Sequence, residues 1–228
     1  MVKTEPQAKT EAALPFVLET RSWEQLVEQD PVNILARYRD QGQLIYRLYV
    51  ASYGVMPKYA EFLPDMKTIG RGLIINSPEE QAKFETNIKD FTDKWVERFR
   101  FSRLYKAITD ERYVDNLGEN AGVAFSSTER AAFIDDLKSG AMTRAQVLLE
   151  VAERSDFAKR ENSRSIVLFN YFGYLHRNPD DPPDNDLHGF DFWVKELETS
   201  GEIGRMPAAF TASGEYQHRI ESEKRVTK

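Results

Sequence analysis

Apolar residues recur along most of this chain at intervals of three and four, the period of one face of an α-helix. Phe84, Ile88, Phe91, Trp95 and Phe99 follow one another at spacings of four, three, four and four. Ahead of them Ser77-Pro78-Glu79-Glu80 supplies a cap, a proline and two acids for the positive end of a helix dipole. The longest helix is therefore expected from about Pro78 to Arg100. The stretch Ile166 to Leu197, IVLFNYFGYLHRNPDDPPDNDLHGFDFWVKEL, predicts a largely buried apolar helix, an acidic loop and a second helix. The first must stop at or before Asn178, because Pro179 drives its predecessor out of the α region. The second carries Phe190, Trp193, Val194 and Leu197 at i, i+3, i+4 and i+7.

Start and stop signals multiply this pattern. Ser22 with Gln25, Ser126 with Glu129 and Thr143 with Gln146 have capping-box spacing. Asp30-Pro31 is a cap followed by proline at the first helical position. Gly42, Gly54, Gly118 to Gly122, Gly140 and Gly201 read as breaks or stops. Between Lys58 and Gly72 a helical spacing of Phe62, Leu63, Met66 and Ile69 is interrupted by Pro64, and Leu73 to Ile75 is too short to assign. The fold class is all-α, built from helix–loop–helix modules packed into one compact or short solenoid-like body. A leucine shortly before a glycine (Leu137/Gly140, Leu197/Gly201), then a capped helix, then an aromatic (Phe101, Phe157, Tyr216), recurs at separations of 56 and 59 residues. Such a period marks helical repeats that bury their apolar faces on one another. The division expected is a disordered lead-in at 1–15, a divergent module at 16–108, modules at 109–162 and 163–220, and a frayed tail at 221–228.

Composition narrows the functional classes. At 228 residues and 41% hydrophobic the chain is able to bury a full core. A net charge of −6 argues against nucleic acid, which calls for a basic stripe. With no cysteine there are neither disulfides nor thiolate metal sites. No apolar run reaches the ~18 residues of a membrane helix. The first residues lack the hydrophobic core of a signal peptide, so an export signal is expected outside this sequence.

The chemistry-bearing residues cluster around the acidic loop. Asp180, Asp181, Asp184 and Asp186 lie within seven positions, an oxygen-rich set that suits calcium. Asp184, Asp186 and Gly189 echo the opening of an EF-hand loop, but its twelfth position is Lys195 rather than a bidentate glutamate. The simpler reading makes Asp184 or Asp186 a helix cap and Arg177 the partner of a carboxylate. His176 and His188 flank the loop and offer a His–carboxylate metal or ligand site, against the plainer role of polar loop residues. Tyr171, Phe172, Tyr174, Phe190, Phe192 and Trp193 suit a sugar-stacking platform, although aromatics at helical spacing are more often core. Tyr171 and Phe192 are the ones expected outside, Trp193 inside. No G-x-S-x-G elbow and no nucleotide-binding glycine motif is present. Asp135 and Asp136 are adjacent on a helix and face different directions, so no acid–base couple is expected there and no enzyme activity overall.

The segments YVDNLGENAG, STERAAFIDDLKSGAMTRAQVLLEVAERSDF, YFGYLHRNPDDPPDNDLHGFDFWVKEL and AAFTASGEYQHRI resemble a bacterial extracellular repeat family catalogued only as a domain of unknown function. Its pattern is matched here by Tyr174, Arg177, Pro179, Asp180, Gly189, Trp193, Leu197, Gly201, Ser213, Glu215 and Tyr216. The likeness covers about Tyr113 to Ile220. It weakens over Leu44 to Arg100, where Tyr49, Gly54 and Pro57 keep the helix and turn without the Asp and Trp. The resemblance implies an all-helical fold, a place in secreted or surface-attached proteins including S-layer and calcium-rich-repeat (RTX-type) ones, and no established catalytic residues. The expected function is a non-catalytic extracellular module holding a bacterial protein to a cell-surface glycan or protein partner. The alternative is a structural subunit that self-assembles into a layer or fibre.

Overall fold

The computed structural model describes residues 22–226, and these form thirteen α-helices and no strand. The lead-in expected at 1–15 lies outside the described residues. The first four helices are α1 (Trp23–Gln29), α2 (Pro31–Arg37), α3 (Arg39–Tyr53) and α4 (Tyr59–Ile69). Next come α5 (Glu80–Glu97), α6 (Phe99–Tyr105), α7 (Asp110–Ala121) and α8 (Ser127–Ser139). They are followed by α9 (Arg144–Glu153), α10 (Ser155–Asn170), α11 (His188–Ser200), α12 (Arg205–Ala212) and α13 (Gly214–Val226). No helix among the described residues is long and apolar enough to cross a membrane.

The most enclosed element is α3, whose residues from Gly42 to Ser52 are buried almost without interruption. It packs against α2, α4, α7, α9 and α10. A helix surrounded in this way must satisfy the polar groups it carries inside. Gln43 does so by donating to Asn162 and Ser165 on α10, and Tyr46 by donating to Glu161 at 2.8 Å. Ser52 receives the indole N–H of Trp95 from α5 at 2.9 Å. Buried residues from Trp23 through Phe210 belong to one contiguous apolar cluster.

Local chemistry explains most boundaries. All three capping boxes form: Ser22 with Gln25, Ser126 with Glu129 and Thr143 with Gln146. Gly42, expected to break the helical pattern, lies inside α3, and further expectations also need correction. The long helix starts at Glu80, two residues late, because Ser77 and Pro78 are taken up in a turn after left-handed Asn76. It also ends early, at Glu97, where Arg98 turns extended. Pro64 does not interrupt α4, since burial of Phe62, Met66 and Ile69 outweighs the ~3 kcal/mol an interior proline costs. Residues 221–226 continue α13 instead of fraying, aided by an Arg219–Glu223 pair at i, i+4.

One local device occurs three times. Residues Arg98, Arg154 and Ser213 each take an extended ψ of 141°, 132° and 148° between two α-helices, breaking α5 from α6, α9 from α10 and α12 from α13. Three positions after each break stands an aromatic, Phe101, Phe157 and Tyr216, which packs against the core. Upstream, left-handed caps close α3 at Gly54, α7 at Gly122 and the extension of α10 at His176.

Candidate functional site

The acidic loop is held down by its own side chains. After Asn170 the backbone widens into a single π-helical stretch, Tyr171–Leu175, and stops at His176 with φ +55°. The next residue, Arg177, is almost fully enclosed and clamps three segments together. Its Nε donates to Glu215 at 2.5 Å, its Nη2 to Asp184 at 2.7 Å and its Nη1 to the Asn178 carbonyl at 2.9 Å. Asn178 accepts the Tyr59 backbone N–H at 2.7 Å, tying the loop to the start of α4. Asp181 accepts from the backbone and side-chain N–H groups of Asn178 at 2.8 and 2.9 Å.

The candidate calcium ligands therefore face separate partners. Asp180 meets Lys58 at 2.6 Å, and this ammonium holds its carboxyl below the usual carboxylate range. Asp181 and Asp184 serve Asn178 and Arg177. Asp186, one residue before the Leu187 N-cap of α11, accepts the His188 backbone N–H at 2.8 Å and lies 2.9 Å from His188 Nδ1. Among the described residues no three acidic or imidazole groups converge on a common point in metal-holding geometry.

The other candidates divide between inside and outside. Tyr171, expected to be exposed, is 2% exposed. It packs inward on Phe190 and Phe210, with Arg177 over its ring, and burial pushes its hydroxyl up to about 12. Phe192 is outside as expected, at 56% exposure. Trp193 is only half-buried, edge-on to Phe210. His176 stacks on Tyr59 with the rings 15° from parallel and its Nδ1 3.4 Å from Arg219; burial, with the Arg219 charge, lowers its pKa. His188 stands in solvent beside Asp186, so the two histidines have no partner in common. With Tyr171, Phe172 and Phe190 inside, these rings form no exposed sugar-stacking ledge.

What the loop does form is one wall of a groove of about 430 Å³. The opposite wall is the turn after α3, and the two walls correspond: Pro57 follows the left-handed Gly54 as Pro179 follows the left-handed His176. One step later Lys58 and Asp180 bind one another across the gap. Val55, Met56, Pro57, Leu168, Pro179 and Leu187 give the groove its apolar lining. Lys58, Glu61, Arg100, Arg164 and Asp180 give it an ionic rim. Sequence reasoning missed Val55, Arg100 and Arg164. The one usable signal was the Gly-x-x-Pro turn at Gly54 and Pro57, set beside the turn ending in Pro179. Comparison with known proteins returns no matching family model, no matching curated protein and no matching solved structure.

Proposed function

We propose that the chain is a non-catalytic helical binding module, built of repeated units, that holds an extended segment of a partner protein in the groove between the α3–α4 turn and the acidic loop. The carrying observation is the groove itself, with its apolar lining and a rim bearing charges of both signs. A polypeptide presents apolar side chains beside a polar backbone, and such a trough complements both. The threefold recurrence of helix, left-handed cap and extended break supports the repeat reading. The bacterial, extracellular setting comes from the family resemblance. The burial of Tyr171 and Phe190 favours a protein partner over a glycan.

The test is peptide display panned on the folded protein and on Val55→Trp, which fills the groove at a half-exposed position. Selected peptides are expected to lose binding to Val55→Trp while circular dichroism is unchanged. Peptides that bind both proteins equally would place recognition elsewhere and defeat the reading.

Phe99, 81% exposed, and Leu104 lie on α6 and support a second reading, self-assembly through that helix. Sedimentation of the wild type and Phe99→Ser across concentrations checks it. A wild type that stays monomeric throughout removes it.

A further inference from the structure

Arginine lies over an aromatic ring at many points in this fold, and in nearly all of them the guanidinium edge is also occupied at close range. Arg98, Arg144, Arg154, Arg160, Arg177 and Arg219 each stack on a ring and reach a carboxylate within 3.0 Å. Arg37, over Tyr38, is met by Asn76. Among the ring-stacked arginines of the described residues two differ. Arg100 lies 4.0 Å from the centre of the Tyr53 ring, yet Glu61, the carboxylate it pairs with, is 3.4 Å away. Arg164 lies 5.0 Å from the Phe190 centroid, with Asp191 at 3.7 Å, Glu161 at 3.9 Å and the Met56 sulfur at 3.9 Å, and it also faces the Tyr46 hydroxyl, so no carboxylate meets it at close range. Both line the same groove.

Stacking fixes the plane of a guanidinium while leaving its edge donors pointing outward, the arrangement in which arginine takes a carboxylate by two parallel hydrogen bonds. Two such edges facing one cavity, beside an apolar floor, form a receptor for acid next to apolar side chain. We infer that the groove selects an acidic peptide segment, with one or two glutamate or aspartate carboxylates on Arg100 and Arg164 and a neighbouring aliphatic side chain on Val55 and Met56. This selectivity rests on the peptide-binding reading above and specifies its ligand. The arginines are in place before binding, so little side-chain entropy is lost on capture. The close Lys58–Asp180 and Arg177–Asp184 pairs keep the loop's own carboxylates from filling the arginine positions.

The experiment titrates ¹⁵N-labelled protein with three probes: a short peptide alternating glutamate and leucine, the same peptide with every glutamate replaced by glutamine, and an oligogalacturonate. The expected result is movement of the Arg100 and Arg164 side-chain Nε–H resonances and of the Val55 amide with the glutamate peptide alone. Binding should weaken by about tenfold in Arg100→Gln and again in Arg164→Gln, one charge-assisted hydrogen-bonded contact each, and with rising salt. Both arginines are partly exposed, and circular dichroism confirms that the variants fold. Arg100→Lys keeps the charge without the fork and is expected to recover only part of the affinity. Equal binding of the glutamate and glutamine peptides at Val55 would leave a peptide groove and overturn the acidic selectivity. Movement with oligogalacturonate alone would overturn both in favour of an acidic glycan. No movement with any probe would overturn both outright.

Discussion

Arg98 closes on Asp65 through two contacts, 2.6 and 3.0 Å, from the residue at which the backbone breaks out of α5. Asp65 is buried and also accepts the Tyr49 hydroxyl at 2.7 Å, so one carboxylate joins α3, α4 and the α5–α6 break. Removing one member of an enclosed pair strands the other charge, at a cost of ~3–5 kcal/mol. Arg98→Ala is expected near the lower end, about 3 kcal/mol, because its side chain keeps one face in water. Asp65→Asn in the Arg98→Ala background should regain part of that loss, since asparagine holds Tyr49 without a charge. Urea denaturation of the wild type and the two variants measures this. A loss below ~1 kcal/mol for Arg98→Ala, the size of a surface pair, would show that the break is held by other means.

Gly70 and Gly201 are glycines for different reasons, and alanine separates them. Gly70 has φ −98°, open to any residue, but a Cβ there would lie 1.9 Å from the Trp23 ring. That indole is locked by its N–H bond to the Met66 carbonyl at 2.8 Å. Gly70→Ala must push α1 away from α4, and overpacking of this kind costs ~1–3 kcal/mol or more. Gly201 has φ +70° with nothing around its Cβ position, so alanine there meets only backbone strain of ~1–2 kcal/mol. The difference appears in the structure as well as in stability. Near-ultraviolet circular dichroism should change in Gly70→Ala, where Trp23 moves, and stay the same in Gly201→Ala.

These contrasts show why parts of the fold were legible and others were not. The capping boxes at Ser126 and Thr143 are local: four consecutive positions suffice to write them, and each formed as spaced. The break at Arg98 is not local, because the residue that captures its side chain, Asp65, lies a helix and a turn earlier. Tyr171 was expected outside, but it follows Val167 and Leu168 on one helix face, and elements distant in sequence, carrying Phe190 and Phe210, cover that face. The acidic loop was legible as a cluster, but its partners Lys58 and Glu215 come from distant elements, so its closure was not. Arg100 and Arg164 carry no signature, since the rings beneath them, Tyr53 and Phe190, belong to other helices.

The acid limb of stability follows from two helix-surface glutamates. Lys138 on α8 holds Glu111 of α7 down to about 2, and Arg154 holds Glu129 down to about 2, where an ordinary glutamate titrates at 4.5. A carboxylate whose folded pKa is depressed stabilises the protein above its unfolded pKa. That contribution is lost as pH falls through the folded value, so the window runs from 4.5 down to about 2. Both side chains stand at the solvent surface, so screening keeps the effect small and high salt should shrink it further. The urea midpoint of the wild type is expected to fall across this window more steeply than that of the Glu111→Gln/Glu129→Gln double variant. Superimposable acid limbs would mean that neither pair persists in solution.

His176 should produce a second, separate pH dependence with its own sign. Burial is the main cause of its lowered pKa and the Arg219 charge adds to it, with Glu223 opposing. In the unfolded chain the imidazole titrates at 6.5, and in the folded protein below that. Between the two values the unfolded state binds the proton and the folded state does not, so stability is full above 6.5 and declines as pH drops through the window. Protonation would also set a cation beside Arg219 and against the Tyr59 ring it stacks on. His176→Asn is the informative variant, because asparagine tolerates the left-handed φ of +55° and carries no titrating group. It gives up the Tyr59 stack, so its stability at pH 8 should drop by ~0.5–1 kcal/mol, while its slope just below 6.5 vanishes. Thermal melts of both proteins from pH 8 to pH 5 read the two effects separately. An unchanged slope in His176→Asn would mean that His176 does not set this pH dependence. A slope of opposite sign in the wild type would mean that Glu223, not burial and Arg219, governs the imidazole.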